Sequence, residues 1–206
     1  MILDELIIPL IQKRAEIPIE RAMLVGISGI DGSGKGYIAR QLNEALGIEL
    51  RVATINVDGW LNLPPTRFGG TDPSRHFYEH ALRLEEMFDR LVIPLVKERG
   101  VTVTADFVEE TADEFRLHEY SYDNIDVVLL EGIFIFKTIF QKHFDLRIWL
   151  TCNFETALKR AVLRSQEGLS PETTQNAYEN IYFPAQRIHF ELDDPETSAD
   201  ILIAND

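Results

Sequence analysis

Apolar residues along the chain follow two rhythms. Short unbroken runs, "AMLVGIS" (22–28), "RVATINV" (51–57), "VVLLEGIFIF" (127–136), "LRIWLTC" (146–152) and "ADILIAND" (199–206), have the length and continuity of buried strands. Between them apolar positions recur at helical spacing. Ile38, Ala39, Leu42, Ala45 and Leu46 predict a helix from Lys35 to Leu46, stopped by Gly47. Asp72-Pro73 predicts a helix start, with Phe77, Ala81, Leu84, Phe88 and Leu91 on one face and Pro94 as a kink or break. Asn153 predicts the cap of a helix carrying Phe154, Ala157, Leu158, Ala161 and Val162 on one side, and residues 171–190 and 1–14 predict two more helices. "LNLPPTRFGGTDP" (61–73) reads as loop, and 101–122 as a two-stranded excursion. Strands alternating with helices predict an α/β fold with a mainly parallel sheet. No repeat or linker divides residues 1–206, so the pattern predicts a single domain.

Charge narrows the partners. The 206 residues carry a net charge of −14, which argues against a nucleic-acid surface but leaves room for a few donors around a small anion. The lone Cys152 forms no internal disulfide and suits a reduced, cytoplasmic chain. "MILDELIIPLIQKRAEIP" lacks the features of a signal peptide, and no run approaches a membrane-spanning length.

The chemistry begins at "GISGIDGSGKG" (26–36). Gly29, Gly34 and Lys35 fit G-x-x-x-x-G-K, between an apolar strand and a helix. Glycines let the backbone of Asp31, Gly32, Ser33 and Gly34 wrap so that N–H groups face phosphate oxygens, while Lys35 adds a point charge. Gly36 stands where a hydroxyl that ligates Mg²⁺ is usual, and a water would have to fill that place. Asp58 and Glu131 each end an apolar run, where ligands of a doubly wound sheet collect. Asp58 suits a general base or a metal ligand, and Glu131 a metal or water ligand. Arg160 and Arg164, four apart on one helix face, suit either a lid over a transferring phosphoryl group or a solvated basic face.

These residues resemble the uridine kinase, phosphoribulokinase and pantothenate kinase group of P-loop kinases, with bacterial uridine kinase-like proteins most similar. The likeness runs from "GISGIDGSGKG" through "VDGWL", "DPSRHFYEHALRLEEM", "LLEGIF" and "FDLRIWL" to "ADILI". It implies a P-loop fold with a five-stranded parallel sheet flanked by helices, and a small β-excursion at the acceptor. It implies transfer of the γ-phosphoryl of ATP, with Mg²⁺, to a hydroxyl of a small metabolite. Asp58 would then be the base, Glu131 an acceptor or metal contact, and Arg160 and Arg164 part of a lid over 155–170. In "TADFVEET" (104–111), Asp106 and Phe107 match the uridine kinase pattern, whereas Ala105 stands at its tyrosine position. Asp58-Gly59-Trp60 is closer to pantothenate kinases. Trp60, Arg67, His76, Phe107 and Arg116 are candidates for the acceptor pocket, with loop packing the alternative for each. Homo-oligomer formation stays open. A catalytically silent nucleotide-binding protein is the competing class, and Gly36 is its main support.

Overall fold

The computed structural model describes residues 2–164 and 168–206. Helix α1 (Ile2–Glu16) precedes β1 (Met23–Gly29), which feeds the glycine loop and α2 (Lys35–Leu46). Then come β2 (Val52–Asn56), a 3₁₀ turn (Val57–Trp60), α3 (Pro64–Arg67) and α4 (Pro73–His80). A second helical stretch runs through α5 (Leu84–Met87), a π-helical turn (Phe88–Val92) and α6 (Ile93–Glu98). The hairpin β3 (Val101–Phe107) and β4 (Arg116–Tyr122) leads to β5 (Val127–Glu131), α7 (Thr138–Gln141) and β6 (Leu146–Thr151). The chain closes with α8 (Phe154–Arg164), α9 (Pro171–Ala177), a π turn (Tyr178–Tyr182), α10 (Phe183–Asp193), α11 (Pro195–Ser198) and β7 (Ile201–Ala204).

Five strands form one parallel sheet in the order β2-β5-β1-β6-β7, and β3 and β4 pair antiparallel beside it. Strand alternation explains its two-faced burial. Met23, Val25 and Ile27 of β1 pack with Leu6 and Leu10 of α1 and Ile38 and Leu42 of α2. Leu24 turns the other way, into a larger core with Leu91 and Leu95 of the second helical stretch and Ala185 of α10. Each such large apolar side chain contributes on the order of 2 kcal/mol through burial. Layers of helix on both faces leave the carboxyl edge of β1, β2 and β5 as the open rim.

Three local readings are corrected. The 61–73 segment holds α3, one helical turn begun at Pro64, whose ring presets φ and whose missing N–H costs nothing there. Helical spacing across 72–91 does not make one helix: the chain breaks at 81–83, where Leu82 bridges Leu61, and restarts at Leu84. The 127–136 run stops being strand at Glu131: beyond it the chain turns, with Phe134 at a left-handed φ of 60°, and carries Phe134, Ile135 and Phe136 into the core.

Candidate active site

Seven residues of fully buried β1 deliver the chain into the glycine loop. Gly32 and Gly34 carry φ values of 80° and 94°, which residues with a side chain rarely adopt. Space forbids side chains as well: a Cβ on Gly32 would meet the Ala157 carbonyl at 2.6 Å. The loop runs into the N-terminus of α2, where backbone N–H groups lack helical partners. Lys35 is largely buried, and its Nζ donates to the Ile30 carbonyl at 3.0 Å, folded across the loop it would serve.

Facing the loop is a cleft of about 490 Å³. Asp31, Lys35, Asp58, Glu131, Arg160 and Arg164 all line it, so strand ends, loop and arginine helix converge as their sequence positions suggested. Asp58 sits in the 3₁₀ turn after β2, its N–H donating to the Asn56 side chain at 2.6 Å. It opens onto the cleft but is otherwise surrounded by protein. Burial, then Asp31, push its pKa up, while Lys35 and Arg164 pull it back. Glu131 ends β5, nearly inaccessible. Burial lifts its pKa to about 7, with Lys35 opposing the rise and Asp58 and Asp31 adding to it. These carboxylates crowd one another and need cations. Arg164 supplies one from the end of α8, and Lys35 another. Arg160 is held aside, its Nη1 donating to the Asn205 carbonyl at 2.7 Å. Of the predicted lid over 155–170, residues 165–167 lie outside the described residues.

Among the described residues no group of three or more His, Cys, Asp or Glu side chains is placed to hold a metal ion. That donor set fits Mg²⁺ rather than opposing it, since the ion commonly takes one or two carboxylates, substrate phosphates and waters. Asp58 and Glu131 are the side chains that would hold it. Gly36 lies in the first turn of α2 without a left-handed φ, and a Cβ there would meet Glu131 Oε1 at an ordinary 3.6 Å.

The acceptor-side candidates divide. Arg67 is buried and faces the cleft, with Nη2 donating to the Glu110 carbonyl at 2.7 Å. Phe107 lines a second cavity of about 580 Å³ that shares Asn56, Asp58 and Glu110 with the first. The other four do not line either space. Trp60 is fully buried and stacks on Tyr120 at 5.5 Å, because the 3₁₀ turn that presents Asp58 to the cleft turns Trp60 into the core. His76 braces the loop, its Nε2 2.7 Å from the Thr66 carbonyl and its ring against His80. Asp106 alternates outward from buried Ala105 and is exposed. Arg116 lies over the Phe107 ring at 4.4 Å and pairs with Glu109 at 3.2 Å on the surface.

Sequence reasoning missed His118, Tyr120 and Tyr122 on the wall of the second cavity, although their alternation in "HEYSY" could have revealed them. It also missed Arg40, which projects from α2 to the rim of the first cleft.

No family model matches the chain. A curated uridine kinase of Clostridium perfringens is 24% identical over 193 residues, spanning 89% of this chain and 88% of that one. A solved structure described as a possible uridine kinase from Bacillus stearothermophilus superposes with a TM-score of 0.75 at 20% identity, covering 98% of this chain and all of that one. A candidate fructose transport system kinase from Silicibacter sp. TM1040 gives 0.69 at 21% identity, over 94% and 97%. Among the described residues no helix is long and apolar enough to cross a membrane. In fold, and in the sequence motifs that first suggested it, the chain resembles the P-loop kinases of the uridine kinase group.

Proposed function

We propose that the protein is an ATP-dependent, Mg²⁺-assisted small-molecule kinase that phosphorylates a hydroxyl, with a nucleoside as the favoured acceptor. The observation that carries this reading is the convergence of loop, Lys35, Asp58, Glu131 and Arg164 on one cleft. A protein that only bound nucleotide would need the loop and lysine but not two strand-end carboxylates beside an arginine. Loop amides and Lys35 cradle the phosphates, for which Lys35 exchanges its bond to Ile30. Bound Mg²⁺ supplies neutralisation of phosphate charge. Asp58 accepts the proton of the acceptor hydroxyl as that oxygen bonds the γ-phosphorus and the bond to the β–γ bridging oxygen breaks, with ADP as the leaving group; the protein around the carboxylate, and Asp31 beside it, make it a stronger base than an isolated aspartate. Arg164, and Arg160 once it leaves Asn205, offset charge spread over the moving phosphoryl group.

A nucleoside is favoured by the second cavity. Asp58 and the rings of Phe107, His118 and Tyr120 line it, and its lining among the described residues holds no lysine or arginine, the nearby Arg116 being paired with Glu109 at the surface. Names among the relatives support kinase chemistry, and the uridine kinase of C. perfringens supports a nucleoside. The net charge and single cysteine favour a cytoplasmic enzyme without nucleic-acid or membrane partners. The test is ATP consumption across nucleosides, sugars and hydroxy acids, with and without Mg²⁺. Mg²⁺-dependent turnover with a nucleoside is expected. An enzyme that binds ATP yet phosphorylates none of them refutes the reading.

A further inference from the structure

A loop that turns its N–H groups inward toward phosphate must turn carbonyls outward, and those carbonyls need donors of their own. Two such carbonyls have donors from side chains. Ile30 O accepts from Lys35 Nζ, a bond that gives way when the lysine turns to phosphate, though Ser33 N–H also reaches Ile30 O at 3.1 Å. Ser33 O accepts from Nδ2 of Asn205 at 2.7 Å, from just beyond the last strand. Asn205 is itself pinned. Its N–H donates to Thr151 O at 2.9 Å at the end of β6, and its carbonyl accepts from Arg160 at 2.7 Å. The next residue, Asp206, accepts from both the backbone N–H and the side-chain amide of Asn153, at 2.7 Å each, and Asn153 in turn caps α8. The amide of Asn205 also occupies the space beside Gly34, where a Cβ would lie 2.6 Å from Nδ2.

We propose that Asn205 is a positioning residue for the phosphate loop: its side-chain amide holds the Ser33 carbonyl outward, so that the loop keeps its phosphate-binding form before and after nucleotide arrives. Asn205 touches no reacting atom in this role. The kinase reading enters only in the identity of the loop's ligand, since the contacts exist without it.

The experiment is amide hydrogen exchange on the full-length, ligand-free protein, paired with calorimetric titration of ATP. Asn205→Ala removes the donor, and Asn205→Asp keeps the shape but removes it as well. Both variants should exchange faster within residues 30–36 while amides 24–27 of β1 keep parent protection. ATP affinity should fall by about two- to tenfold, the worth of one net hydrogen bond, with a larger loss for Asn205→Asp from the added charge. Parent-like loop exchange and ATP affinity in both variants overturn the proposal. So does an increase spread equally over β1, which would mark a general structural role. If the variants respond as expected but the parent phosphorylates no acceptor, the positioning role stands and the kinase reading falls.

Discussion

Replacing Gly36 by Ser tests how the site manages without the usual hydroxyl. The residue occupies the first turn of α2 and has no left-handed φ, so a side chain brings no backbone strain. The new Cβ would stand 3.6 Å from Glu131 Oε1, an ordinary contact, on the side where the carboxylates gather. Exchanging Gly for Ser in a helix should stabilise the fold by about 0.5 kcal/mol. The larger effect concerns Mg²⁺. A tethered hydroxyl replaces a water whose immobilisation costs up to about 2 kcal/mol. A gain of about 1 kcal/mol lowers the Mg²⁺ concentration for half-maximal activity about fivefold. The assay is ATP consumption against Mg²⁺ at saturating ATP and acceptor, with thermal melts as a folding control. An active parent whose Mg²⁺ dependence is the same after Gly36→Ser refutes the idea that water stands in for the hydroxyl.

Lys35→Ala should weaken ATP binding by calorimetry while leaving the fold intact; unchanged affinity would remove the loop from nucleotide binding. Asp58→Asn should cut turnover about a hundredfold or more, the range of general bases, with ATP affinity largely kept; turnover within a few-fold of the parent places the base elsewhere. Arg164→Ala should lower kcat more than it raises KM for ATP, because its charge acts beside Asp58 and Glu131; a pure KM effect would make it a binding residue. Asp193, which does not line the cleft, tests the core. Burial alone would raise its pKa, but His189, Tyr78 and the Thr138 N–H hold it at about 2, below the ordinary 3.8. A depressed carboxylate stabilises the fold above pH 3.8 and loses that contribution as pH falls through 2, by at most about 2.5 kcal/mol. The stability advantage of the parent over Asp193→Asn should therefore shrink between pH 4 and 2; a constant gap in acid melts contradicts this.

The parts of the site legible in sequence were those fixed by spacing. The glycine loop announced itself because its geometry tolerates few other residues, and Asp58 and Glu131 followed from where buried strands must end. The hairpin was legible because apolar and polar β-branched residues alternate in "VTVTADFV". Side-chain direction within turns was not. Trp60 and Asp58 sit two residues apart yet serve core and cleft, and no periodicity separates them in a 3₁₀ turn. Asp106 and Phe107 divide by strand alternation, which needs the register to be known. The π turns before Pro94 and Pro184 were hidden because they change hydrogen-bond partners while keeping the apolar face. Asn205 could not be found at all, since its partner Ser33 lies 172 positions away.

The placement of β1 at the centre of the sheet bears on how the chain is made. Met23 pairs with Val127, 104 positions later, and Gly29 with Leu150. During synthesis at about 5–20 residues per second, the strand leaves the ribosome and waits on the order of 5–20 s for its first neighbour. All seven of its residues are buried in the finished fold, so for that interval the segment leading into the phosphate loop has its strand edges unpaired and only α1 and α2 to pack against, a state open to aggregation. Slower growth at lower temperature, or added chaperone, should therefore improve soluble yield more than substitutions that only stabilise the folded state.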